Sequence, residues 1–157
     1  MKRSFKVWSA LGSRLINRVA AGVLSIGLVA AAQAMPDASN PQVQQGEYLA
    51  RAGNCMGCHT TRGGKPYAGG RRLNTPFGQF ITPNLTPDNG TGIGNWSGDD
   101  FWQALHHGKS RVGRNLYPAF PYTEYTKVTR QDADAIFAYL RTLPAVVQTN
   151  PPHTIYS

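Results

Sequence analysis

Cysteine is almost missing from this sequence: there are two in 157 residues, Cys55 and Cys58. A bridge between positions three apart would staple very little chain, so no disulfide framework is present. A four-ligand zinc site is excluded too, because no second C-x-x-C and no H-x(3–5)-H completes a tetrahedron. Long apolar runs are equally scarce. Val19 to Ala32 extends for about 14 residues, short of the roughly 20 that cross a bilayer. Acidic residues number 8 against 16 basic ones, a formal net charge of +8. Five of the basic residues lie before or within the first 18 positions. Residues 35–157 therefore carry 11 basic against 8 acidic side chains, a net of +3. That small excess removes the argument for a nucleic-acid surface that a pI near 9.9 invites.

What the N-terminus does contain is a positive region (Lys2, Arg3, Lys6, Arg14, Arg18), the apolar run, and Ala32-Gln33-Ala34 as an A-x-A cleavage site. This reads as a signal peptide over 1–34 and predicts export to a bacterial periplasm. An uncleaved membrane anchor is the competing reading. The tail, 145–157, has no amphipathic pattern that would dock on a membrane, so membrane association is expected only through partners.

The two cysteines stand in Cys55-Met56-Gly57-Cys58-His59. C-x-x-C followed at once by histidine reads as a c-type haem attachment site. Two intervening residues let both thiols add to the vinyl groups of one porphyrin, and the histidine then falls under the iron as proximal ligand. A thioredoxin-like pair would open a helix beside a βαβ pattern, which these flanks lack. One motif implies one haem. A buried porphyrin also supplies an apolar body to a chain of about one domain, whose own core is marginal.

Along the chain, residues 35–44 form a polar, extended lead-in. A helix is expected from about Gln44 to Ala52, with Tyr48, Leu49 and Ala52 on its apolar face and Gly53 as cap. Residues 61–95 are rich in Gly, Pro, Asn and Thr and show no helical period; only 77–81 suggests a small strand or hairpin arm. The Gly90-x-Gly92-x-Gly94 run lacks the strand and spacing of a nucleotide loop. Ser97 and Asp100 make a capping box ahead of Phe101, Trp102 and Leu105. Residues 109–128 are loop again. Thr129 and Asp132 open a last helix with the stripe Ala135, Ile136, Tyr139, Leu140 and Leu143, ended by Pro144. This order predicts an all-α, small cytochrome c fold over 45–144: three main helices, long loops wrapping one haem, and a flexible tail at 145–157. Gly46 is placed to let the first helix cross the last closely, against Phe137 or Leu140.

Several longer stretches sharpen this. They are Gly46 to His59, Gly63-Gly-Lys-Pro-Tyr-Ala-Gly-Gly70, Thr75-Pro-Phe-Gly78, Thr82-Pro-Asn-Leu-Thr-Pro-Asp88, Thr91-Gly-Ile-Gly94, Leu116-Tyr-Pro-Ala-Phe-Pro-Tyr122 and Tyr139-Leu-Arg-Thr-Leu-Pro144. Together they resemble the first haem domain of the cytochrome c subunits of bacterial membrane-bound alcohol, gluconate and aldehyde dehydrogenases. The resemblance implies an electron-transfer subunit rather than an enzyme. Its donor would be a dehydrogenase subunit and its acceptor quinone or the oxidase side of the respiratory chain. Such subunits usually carry three such domains and a C-terminal membrane-binding segment, so this chain is expected to be a one-haem relative or a truncated one.

Many members read Tyr-Pro-Ala-Met-Pro-Tyr where this chain has Phe120. Beyond the leader the methionines are Met35 and Met56, neither suited to the iron's second face. His106 or His107 is the candidate distal ligand; alternatively the iron is five-coordinate, with Phe120 shielding an open site. His153 lies in a proline-rich tail. Pro66 or another loop carbonyl is expected to accept the second ring N–H of His59. Arg71, Arg72, Arg111, Arg114 and Trp96 are candidates for the propionates, and Tyr117, Phe120 and Tyr122 for the pocket wall. The rival function is a haem enzyme or gas sensor using an open sixth position, with His106 or His107 as acid–base groups.

Overall fold

The computed structural model describes residues 37–156; the leader expected at 1–34, and Met35, lie outside them. The first helix, α1, is Pro41–Ala52, three residues longer at its start than expected. Asn40 is the reason: its side chain accepts the Gln42 N–H at 2.8 Å, and Pro41 takes the first helical position, where no N–H is needed. The lead-in is correspondingly shorter. The buried face is also rotated from the one expected. Val43, Gly46 and Ala50 point inward, Leu49 is half-buried, and Tyr48 is exposed.

Asn54 follows the Gly53 cap in the left-handed region (φ 52°), which asparagine tolerates, and turns the chain into a single helical turn, α2, Cys55–Cys58. Helix α3 is Gly98–His107, opened by the reciprocal Ser97–Asp100 capping box and closed by Gly108. A short 3-10 helix, Tyr122–Tyr125, lies within the loop that follows. Helix α4, Arg130–Leu140, begins at Thr129, whose hydroxyl accepts the Asp132 N–H. It buries Ala133, Ala135, Ile136 and Leu140.

The expectation of an all-α fold is overturned. Strands β1 (Arg72–Thr75) and β2 (Gly78–Ile81) form an antiparallel hairpin, and β3 (Thr154–Ile155) adds to the other edge of β2. Among the described residues the fold is mixed: four α-helices and a three-stranded antiparallel sheet. The glycine- and proline-rich stretch must still satisfy its backbone polar groups, and the hairpin does so where no helix can form. Nor is the end of the chain free. Val146 N–H bonds to Thr86 Oγ1, Asn150 Nδ2 to the Thr82 carbonyl, and Tyr156 N–H to the Phe77 carbonyl. The expected flexible tail is, over 146–156, a strap laid along the loop and the sheet.

Helices α1 and α4 cross at Gly46, whose neighbour is the Ala135 carbonyl rather than Phe137 or Leu140. The core joins Ala50, Tyr67, Ile93, Phe101, Leu105, Ala133, Ile136 and Leu140. Among the described residues no helix is long and apolar enough to cross a membrane.

Candidate functional site

The site is built on α2. One turn of helix sets Cys55 and Cys58 on the same face, as residues three apart must be. Both thiols are free; Cys55 is half-buried and Cys58 exposed. Burial pushes the Cys55 thiol up to about 11, so it is neutral at ordinary pH. His59 follows directly, its N–H bonded to the Cys55 carbonyl at 2.9 Å.

The His59 ring is held in one orientation. Its Nδ1 lies 2.8 Å from the Pro83 carbonyl oxygen, which only accepts, so Nδ1 carries the proton and Nε2 keeps its lone pair. That is the arrangement of a metal-binding histidine. The expected loop carbonyl is that of Pro83 rather than Pro66. Burial holds the imidazole below its ordinary value, against the raising effect of the Pro83 bond. Gly69 makes room for this contact. It donates to the His59 carbonyl at 2.7 Å with φ +75°, and a Cβ there would lie 2.5 Å from the Pro83 carbonyl oxygen.

An aromatic wall stands beside Cys55. A Cβ on Gly53 would meet the Tyr125 ring at 3.6 Å and Cys55 Sγ at 3.7 Å, so that ring and sulfur are near neighbours. Tyr125 donates its hydroxyl to the Gly53 carbonyl at 3.0 Å and stacks on Phe120 at 5.4 Å. Phe120, Trp96 and Cys55 are partly buried and pack on the core cluster. Sequence reasoning missed Tyr125 and Tyr67. Tyr67 is 3% exposed, sits at φ 59°, unusual for a bulky residue, and meets Tyr139 edge-on at 6.0 Å. No periodicity marks either tyrosine; their places depend on contacts far along the chain.

Tyr117 is drawn to the sheet, where its ring packs on Phe80 and His153, each at 4.7 Å. Arg71 donates to the Gly57 carbonyl, inside the motif. Arg72 bonds Gln79, and Arg111 and Arg114 are exposed. Tyr122 packs against Gly108. The Nε2 of His106 is 2.6 Å from the Val128 carbonyl and its ring stacks on Trp102 at 3.5 Å. His107 is exposed.

Two thiols on one turn, an imidazole with a free lone pair and an apolar aromatic wall form the donor set and lining that a covalently attached haem requires. Among the described residues, no three His, Cys, Asp or Glu side chains gather to hold a bare metal ion. The cytochrome c family pattern matches residues 43–144, and the chain belongs to the cytochrome c family. Membership implies haem c bound covalently.

Several similar proteins are cytochrome subunits of dehydrogenases. The chain is 46% identical over 121 residues to the gluconate 2-dehydrogenase cytochrome c subunit of Pantoea cypripedii, covering 76% of this chain and 27% of that protein. It is 39% identical over 129 residues to the alcohol dehydrogenase (quinone) cytochrome c subunit of Gluconacetobacter polyoxogenes, covering 80% and 28%. With the fructose dehydrogenase cytochrome subunit of Gluconobacter japonicus it shares 39% over 118 residues, covering 74% and 24%. The chain thus spans under a third of the length of these relatives.

Proposed function

We propose that this protein is a periplasmic electron carrier with one haem c, bound through Cys55 and Cys58 and ligated by His59. It takes one electron at a time from a dehydrogenase subunit and passes it towards quinone or an oxidase-side acceptor. Bound haem supplies the one-electron iron couple; the chain supplies attachment, orientation and an apolar surround. The observation that carries this reading is the His59 ring, turned by Pro83 so that Nε2 is free, one residue beyond two free thiols on a single helical turn. The similarity to dehydrogenase cytochrome subunits supports the choice of donor.

No side chain here needs to act on a substrate. The enzyme alternative draws on His106 or His107 as acid–base group; the His106 Nε2–H is engaged by Val128, and His107 is an exposed residue at the end of α3. Docking is expected at a small, transient surface. Membrane association comes through the partners, and 1–34 is removed on export.

Expression in a bacterium equipped for haem attachment tests the proposal. The purified chain is expected to start after Ala34, to gain the mass of one haem, and to be reduced by a membrane-bound sugar or alcohol dehydrogenase with its substrate. Cys55→Ala and Cys58→Ala should each abolish the two-thioether product. A chain without covalent haem, or one that no such dehydrogenase reduces, overturns it.

A further inference from the structure

Haem iron in cytochromes c is commonly held by histidine on one side and methionine on the other. Among the described residues the one methionine is Met56, which lies between the two cysteines and is 50% exposed. An imidazole is the other common ligand, and three besides His59 are present. Each can be judged by where its ring protons sit.

At His59, Nδ1–H faces a carbonyl and Nε2 is left for the metal. His106 is wired the opposite way: Nε2–H donates to Val128 at 2.6 Å, and the ring is held flat on Trp102. His153 is held by its other nitrogen. The Ile81 N–H donates to its Nδ1 at 3.0 Å, which places the neutral ring's proton on Nε2, and the ring lies against Phe80 and Tyr117 at the sheet. His107 is an exposed residue at the end of α3. The aromatic pair beside Cys55 offers no free donor either, because the Tyr125 hydroxyl is committed to Gly53 and Phe120 has none.

We propose that none of His106, His107 and His153 serves as a second axial ligand, and that this position is open to a small neutral diatomic ligand. The proposal rests on haem attachment at Cys55 and Cys58, as above. With no free donor on Phe120 or Tyr125, a bound anion would gain no hydrogen bond from them, whereas a neutral diatomic needs none. Neither Phe120 nor the committed Tyr125 hydroxyl offers a free acid–base group, which separates ligand binding from peroxide turnover beside this pair.

The test uses the full chain carrying its haem, with attachment first verified by mass; absence of the haem adduct refutes the attachment reading itself. With haem in place, carbon monoxide should shift the Soret band of the reduced protein, saturating at one equivalent per haem. The oxidised protein should show a high-spin signature. His106→Gln, His107→Ala and His153→Gln should leave both spectra unchanged. Phe120→Met should abolish the carbon monoxide response if the methionine fills the position. A low-spin protein whose spectrum carbon monoxide does not alter overturns the proposal. Whichever histidine variant then turns the iron high-spin identifies the ligand.

Discussion

A Cβ placed on Gly46 would lie 1.9 Å from the carbonyl oxygen of Ala135 and 2.4 Å from its carbon. No rotamer relieves this, since Cβ is fixed to the backbone and its neighbour is backbone too. Gly46→Ala must therefore push α1 and α4 apart. A loss of about 3 kcal/mol is expected, the upper end of ordinary overpacking, and with it a fall of roughly 10 °C in Tm. Thermal unfolding of the haem-loaded protein measures it. A change under about 2 °C would mean the crossing yields freely.

Asn84 is 1% exposed and ties three segments together. Its Nδ2 donates to Thr91 Oγ1 at 3.1 Å and to the Val146 carbonyl at 2.7 Å. Its Oδ1 accepts from the N–H and the hydroxyl of Thr86, both at 2.8 Å. Asn84→Ala strands buried polar groups, so about 2–4 kcal/mol of stability should go. The denaturant midpoint of the loaded protein reports this, and an unchanged midpoint would show that the strap over 146–156 adds nothing.

Asp88 supplies a pH dependence of known sign. The Thr91 hydroxyl, and then the Thr91 and Gly90 N–H groups, hold its carboxyl below the usual range. A lowered folded value stabilises the protein above the unfolded value of about 3.9, and that gain is lost as pH falls through the folded value. The stability gap between the native protein and Asp88→Asn should thus be present at neutral pH and close below about pH 4. A gap independent of pH would assign the effect to packing.

Much of this was legible in the sequence because its determinants are local. The C-x-x-C-H turn, the Ser97–Asp100 box and the Thr129 cap each lie within four or five positions. Gly46 was legible as a crossing point, though its partner was not, because the crossing angle depends on the whole core. The sheet was not legible as a sheet. Phe77 to Ile81 hinted at one arm, but β3 reaches β2 from more than seventy residues away. Pro83 as the His59 partner, Tyr125 beside Cys55 and the bond of His106 to Val128 share this cause: each pairing spans about twenty residues or more.

His153 is the clasp of the strap. Replacing it with alanine leaves the Ile81 N–H without its acceptor, a loss of about 1–2 kcal/mol in local opening. Hydrogen exchange at the Ile81 amide should then quicken about 5- to 30-fold. The neighbouring Thr82 N–H, bonded to the Arg71 carbonyl at 2.9 Å, serves as control and should change little. Equal acceleration at both would indicate loss of the whole hairpin rather than release of the clasp.

The five residues from Cys55 to His59 are gripped from outside their own stretch. Gly69 and Pro83 hold His59 and Arg71 holds Gly57, while Tyr125 braces the Gly53 carbonyl just ahead. A centre braced on several sides has little room to relax when its charge changes by one. On the proposed function, its reorganisation on gaining or losing an electron is small. The pace of transfer is then set by how closely and how long a partner docks, not by motion within this chain.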